Sequence, residues 1–141
     1  MKKKTAVLFS SSPAYAFALF VSVSTFFKNS PRLAAQADVY IFHYHWDEKT
    51  KNIFSRSFPV RLVAYDLPAF IPRTEFVNKF TPALFARFEI FKLLQEYEKV
   101  LCLDADILVQ KELEQVFDFS HDLAMTMDDC PTVGHNFTAL V

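Results

Sequence analysis

Val100-Leu101-Cys102-Leu103 is an apolar run that ends abruptly in Asp104-Ala105-Asp106, and a second apolar run, Ile107-Leu108-Val109, follows at once. The first run reads as a buried strand. In an extended segment residues i and i+2 point the same way, so Asp104 and Asp106 are expected to aim at one point. Two carboxylates at the mouth of a hydrophobic strand are costly unless a cation or hydrogen-bond donors meet them. A hard divalent ion, Mn²⁺ or Mg²⁺, suits oxygen ligands and commonly also takes substrate phosphates. The chain must therefore bury this strand and still leave its C-terminal end open.

The remaining pattern alternates strands with helices. Thr5-Ala6-Val7-Leu8-Phe9 suits a short buried strand, and Ser10-Ser11-Ser12-Pro13 suits a loop and a helix start with a Ser cap. A largely buried helix is expected from Ala14 to Phe27, a strand over Asp38–Tyr44, and a helix over Asp47–Phe54 with Asp47 as its cap. Val60–Tyr65 reads as a third strand and Leu67–Lys79 as mostly irregular. Thr81-Pro82 opens a helix that runs to about Tyr97. Lys111–Phe119 reads as a short helix or turn, and Leu123–Met127 as a fifth strand leading into Asp128-Asp129. The pattern predicts an α/β fold with a mostly parallel sheet and helices on both faces. Strand, polar loop and helix at the start form the opening of a unit that binds a nucleotide at the strand's C-terminal end.

At 141 residues, one domain with a real core is expected, and 52% apolar residues with 17 Phe argue against disorder. A net charge of −1 gives no basic excess, so a nucleic-acid partner is not expected. Only Cys102 and Cys130 are present, which gives neither a disulfide framework nor a zinc pattern and points to a reducing, cytoplasmic setting. Met1-Lys2-Lys3-Lys4 followed by uncharged residues to Phe27 has the look of a signal peptide, with Ala14-Tyr15-Ala16 as a cleavage site. The polar, proline-containing loop at 10–13 favours strand and helix instead. No other stretch approaches transmembrane length. Lys2-Lys3-Lys4 reads as a solvated terminus that would add peripheral attraction to an anionic membrane, here the inner membrane face.

On a helical wheel for Pro82–Tyr97, Ala83, Leu84, Ile90, Phe91 and Leu94 fall on one face and Glu89, Lys92 and Glu96 opposite. Arg87 falls in the middle of the apolar face, where a guanidinium needs a partner. A structural salt bridge or a snorkelling arginine satisfies that need. The alternative is that Arg87 reaches the acidic motif and contacts an aspartate or a ligand phosphate.

These residues together resemble glycosyltransferase family 8. Lys99–Leu113 resembles the family's Asp-x-Asp segment, the first strand with its Ser-rich loop and Tyr15-Ala16 resembles the family's opening, and Phe85-Ala86-Arg87-Phe88 resembles its Arg-bearing helix. Asp128 matches an acidic position after the following strand. The resemblance implies a Rossmann-like GT-A nucleotide-diphospho-sugar transferase fold. It implies transfer of a sugar from a UDP-sugar, through Mn²⁺ or Mg²⁺, to a sugar or glycan acceptor such as lipopolysaccharide, with retention. Asp104 and Asp106 would be metal ligands, Ser10, Ser12 and Tyr15 would lie near the base and ribose, and Arg87 would approach the donor. The family's later histidine ligand and acceptor segment have no match, and His135-Asn136 stands where the family has Asn-x-Gly. Residues 1–141 are accordingly expected to be a truncated, N-terminal donor domain.

Rival readings remain at this level. A haloacid dehalogenase-type phosphatase also places Asp-x-Asp after a buried strand, but with a hydroxyl where Leu108 stands. A non-catalytic binding remnant is a second rival, and a plain turn after the strand is a third. His43 and His45 sit i, i+2 on a strand and could share a metal, although lone histidine pairs match known ligand patterns poorly. His121 and His135 have no spacing that supports chemistry.

Overall fold

The structure, a computed structural model, describes residues 3–69, 71, 72, 74, 75, 81–118, 124–127 and 137–140. Strands β1 (Lys3–Ser11), β2 (Asp38–His43), β3 (Arg61–Ala64) and β4 (Tyr97–Leu103) form one sheet in the order β3-β2-β1-β4, with every pairing parallel. β1 and β2 are apolar almost throughout because helices cover both faces. Val7 and Phe9 of β1 pack with Leu19, Val23 and Phe26 of α1 (Ala16–Asn29), Leu33 of α2 (Pro31–Gln36) and Phe54 of α3 (Glu48–Ser57). Their neighbours Ala6 and Leu8 point the other way, onto Ala86, Ile90 and Leu93 of the helical segment 81–96. The alternation of β1 thus builds two cores, one on each face. The abundance of Phe has its use in the first: Phe20, Phe26, Phe27, Phe54 and Phe58 meet ring on ring, with Phe27 stacked on Phe58 at 5.7 Å.

The expected fold class is the one observed, and the differences lie in local geometry. Residues 5–27, which look like a leader, form the central strand and first helix. Asp47 caps α3, accepting from the Thr50 N–H at 2.8 Å. Ser12, by contrast, makes no side-chain cap, and a 3₁₀ turn (Pro13–Tyr15) precedes α1. The expected single helix from Pro82 to Tyr97 is an α-turn (Thr81–Phe85), a 3₁₀ stretch (Ala86–Glu89) and an α-helix (Ile90–Glu96). Four residues wound at about 120° rather than about 100° each rotate everything that follows. The buried stripe is consequently Ala83, Ala86, Ile90 and Leu93, while Phe91 is 65% exposed. Arg87 leaves the apolar face for the rim.

Across the N-terminal ends of the strands, polar groups close a directed ring. Arg61 Nη1 donates to Tyr40 Oη at 3.0 Å, Tyr40 Oη meets Tyr97 Oη at 2.9 Å, Tyr97 Oη donates to Asp38, and Arg61 Nη2 pairs with Asp38 at 3.2 Å. Burial, then the contacts with Asp38 and Tyr40, hold the Tyr97 hydroxyl well above its usual range. Beyond β4 the short antiparallel pair β5 (Ala124–Met127) and β6 (Phe137–Leu140) joins Met127 to Phe137 and Ala124 to Leu140. The sequence reading expected β5 and missed β6. Among the described residues, no helix is long and apolar enough to cross a membrane.

Candidate active site

The C-terminal ends of β1 and β4 lie side by side where the strand order switches: from β1 the chain runs outward to β2 and β3 on one side, and β4 is added on the other. Ligands of open α/β sheets bind at such a divergence. A cleft of about 260 Å³ opens there, lined by Ser10, Ser11, Ser12, Tyr15, Ala83, Leu84, Arg87, Asp104, Ala105 and Asp106. Ser10, Ser12, Tyr15, Arg87, Asp104 and Asp106, singled out from the sequence, all line it. Ala83 and Leu84 are additions. Both were expected on the core face; Ala83 is buried there, while Leu84 is only partly buried.

Each wall has a local cause. Ser10 and Ser11 still pair with Phe42 and His43 of β2, and the Tyr44 N–H donates to the Ser11 carbonyl at 3.0 Å, so the serine loop leaves from a fixed strand end. Ser12 is 5% exposed, and its Oγ has no hydrogen-bond partner among the described residues. A buried hydroxyl in that state costs about 1–3 kcal/mol until something meets it. Tyr15 ends the 3₁₀ turn and leaves half of its surface open.

Arg87 Nη2 meets Asp104 Oδ1 at 2.7 Å, and Arg87 Nε is buried with no hydrogen-bond partner among the described residues. Of the two readings of Arg87, the one in which it reaches the acidic motif and contacts an aspartate is the one observed. Asp104 and Asp106 are not held by an extended backbone, because β4 ends at Leu103 and the chain turns at Ala105-Asp106. The turn, rather than strand alternation, brings both carboxylates to the cleft. Just beneath them, burial pushes the Cys102 thiol up to about 11, against a smaller opposing effect of Arg87.

A polar stripe on α1 holds the segment that leaves the turn. Ser22 Oγ lies 2.8 Å from the Ala105 carbonyl and 2.7 Å from that of Ile107. The Val109 N–H donates to Thr25 Oγ1 at 3.1 Å, and Asn29 Nδ2 donates to the Val109 carbonyl at 2.7 Å. At the far end Glu112 accepts from Ser30 Oγ at 2.6 Å and from the Arg32 N–H at 2.9 Å, closing the start of α2. The sequence reading missed this stripe. Its signal was Ser22, Thr25 and Asn29 at i, i+3 and i+7 on a largely apolar helix.

Asp104 and Asp106 offer hard oxygens to an open cleft, which fits part of a Mg²⁺- or Mn²⁺-type shell, since such ions keep waters and bind through one or two carboxylates plus phosphates. Among the described residues no group of three His, Cys, Asp or Glu side chains gathers around a point, His43 and His45 included. Asp128, Cys130, His121, His135 and Asn136 lie outside the described residues.

The model of the family described as glycosyl transferase family 8 matches residues 6–139. The chain belongs to glycosyl transferase family 8. That assignment sets aside the phosphatase reading. No curated protein matches the chain. Among solved structures it is similar to the bifunctional glycosyltransferase WbbM in its apo form, with 21% identity, a TM-score of 0.66, and coverage of 91% of this chain and 24% of that one. It is also similar to the galactosyltransferase LgtC in complex with donor and acceptor sugar analogs, with 18% identity, a TM-score of 0.66, and coverage of 87% and 46%. The apo form of the glycosyltransferase GlyE of Streptococcus pneumoniae TIGR4 matches with 18% identity, a TM-score of 0.62, and coverage of 100% and 34%. These likenesses establish the GT-A fold. The chain spans less than half of the length of each of these structures.

Proposed function

We propose that this chain carries the donor site of a metal-dependent glycosyltransferase. It would take a UDP-sugar and pass the sugar, with retention, to a hydroxyl of a glycan acceptor, lipopolysaccharide being the candidate class. The observation that carries the reading is the convergence of serine loop, Tyr15, Arg87 and two carboxylates on one cleft at the divergence of β1 and β4. Ser10 and Ser12 offer hydroxyls, and Tyr15 a half-open ring, to a nucleoside at the β1 end. Arg87, which lines the cleft, offers a cation to a diphosphate. Asp104 and Asp106 would hold the divalent ion. When bound, that ion stabilises the charge developing on the departing nucleotide as the sugar–phosphate bond breaks. The cytoplasmic side of a membrane suits both a UDP-sugar and a surface glycan under construction.

Thermal unfolding with UDP and Mn²⁺, separately and together, tests the reading. At 100 times Kd a ligand stabilises by about 2.7 kcal/mol, or roughly 8 °C for a chain of this size. A shift needing both components, and lost in Asp106→Ala, is expected. A chain whose midpoint moves with neither would sink the proposal.

A further inference from the structure

We infer that Ser22 is a positioning residue for the Asp104/Asp106 pair, acting through the carbonyl of the residue between them. The inference rests on the proposed donor site and adds to it a residue outside the cleft. Ser22 sits on the buried stripe of α1 beside Leu19, Val23 and Phe26, fully buried. A serine inside a helix ordinarily returns its hydroxyl to the carbonyl four residues back. That bond, to Ala18, is the longest of the three here at 3.2 Å, and the contacts across to Ala105 and Ile107 are shorter. Its single proton is shared between carbonyls of the turn, so the hydroxyl is committed to tertiary structure rather than to its own helix.

The consequence is geometric. The turn at Ala105-Asp106 lies beyond β4, where no strand ladder holds it. With the Ala105 carbonyl drawn onto α1, the flanking aspartates both line the cleft. Thr25 and Asn29 fix the same segment further along, at Val109. They serve its course, whereas Ser22 serves the two carboxylates.

The test uses the 141-residue chain and an isosteric pair, Ser22→Thr and Ser22→Val, which share their bulk and differ in the hydroxyl. Asn29→Ala controls for loosening of the segment as a whole. Two readouts are taken: amide hydrogen exchange over residues 104–108 without ligand, and affinity for UDP with Mn²⁺. Ser22→Val is expected to speed exchange there and to weaken Mn²⁺-dependent UDP binding about tenfold. Ser22→Thr should restore both toward the parent, and Asn29→Ala should leave affinity within about twofold. Unchanged exchange in Ser22→Val overturns the inference. So does loosened exchange with unchanged affinity, an equal loss in Ser22→Thr, or an equal loss in Asn29→Ala. A parent chain that binds no UDP with Mn²⁺ overturns the donor-site reading and this inference with it; a parent that binds while Ser22→Val binds equally overturns this inference alone.

Discussion

Glu112 anchors the far end of the segment that begins at the acidic motif, and replacing it with Gln isolates what its charge contributes. Burial alone would raise its carboxyl, but hydrogen bonds from Ser30 and from the backbone N–H groups of Arg32, Leu33 and Glu114 outweigh it and bring the group from 4.5 down to about 2. Taken at face value, that gap is worth about 3 kcal/mol at neutral pH. The carboxylate is partly open to solvent, and screening reduces the figure to about 1–2 kcal/mol. Loss of a helix N-cap, about 1 kcal/mol, with a further ~0.3–1 kcal/mol from the helix dipole, gives the same range. The sign follows from the depressed value. The stabilisation is fully present above about pH 4.5 and is lost as pH falls toward about 2. Urea unfolding of parent and Glu112→Gln at a series of pH values provides the assay. At pH 7 the variant should be less stable by about 1–2 kcal/mol, equivalent to roughly 3–6 °C in a thermal midpoint. The two curves should approach each other below pH 4.5. A difference that stays constant from pH 7 to pH 3, or a variant as stable as the parent at pH 7, would refute the reasoning.

Arg87→Ala should weaken Mn²⁺-dependent UDP binding at least tenfold by calorimetry while changing stability by no more than about 1 kcal/mol, because its pair with Asp104 is partly exposed. Tyr97→Phe opens the ring of Arg61, Tyr40, Tyr97 and Asp38 and should cost about 1–2 kcal/mol in denaturant unfolding, with UDP affinity unchanged, since the ring lies at the opposite end of the strands. Cys102, buried and pushed up to about 11, should resist iodoacetamide at pH 8 in the folded Cys130→Ser variant and react once urea unfolds it.

Strands were legible wherever burial on both faces wrote an unbroken apolar run. β1, β2 and β4 were each found within a few residues of their observed bounds, whereas their order and register were not read. The cleft was legible because charged or hydroxyl side chains at the ends of such runs have few structural reasons to be there. Three things were not. The phase of the helix before β4 could not be read, since a 3₁₀ stretch at Ala86–Glu89 leaves no mark in composition yet moves Phe91 outward and Arg87 to the rim. The turn at Ala105-Asp106 looked extended because the apolar runs on either side continue strand-like patterning through it. Ser22, Thr25 and Asn29 were visible as letters, but their partners are backbone groups 80 or more positions away, and a backbone carbonyl has no signature in sequence.

Those long spans bear on how the molecule comes into being. β1 is an interior strand, yet its neighbour on one side is residues 97–103 and the contact from Ser22 to Ala105 bridges 83 positions. Loop closure on that scale must precede any gain from pairing, which makes the final docking of β4 the slow event. During synthesis β1, α1 and β2 emerge first and wait with one flank of β1 bare, a strand edge open to wrong partners. Every residue of the cleft except Ser10, Ser11, Ser12 and Tyr15 arrives just before or just after β4. Assembly of the proposed donor site and completion of the sheet are therefore expected to be a single kinetic event, and refolding followed by UDP binding should trace the same time course as refolding followed by burial of Cys102.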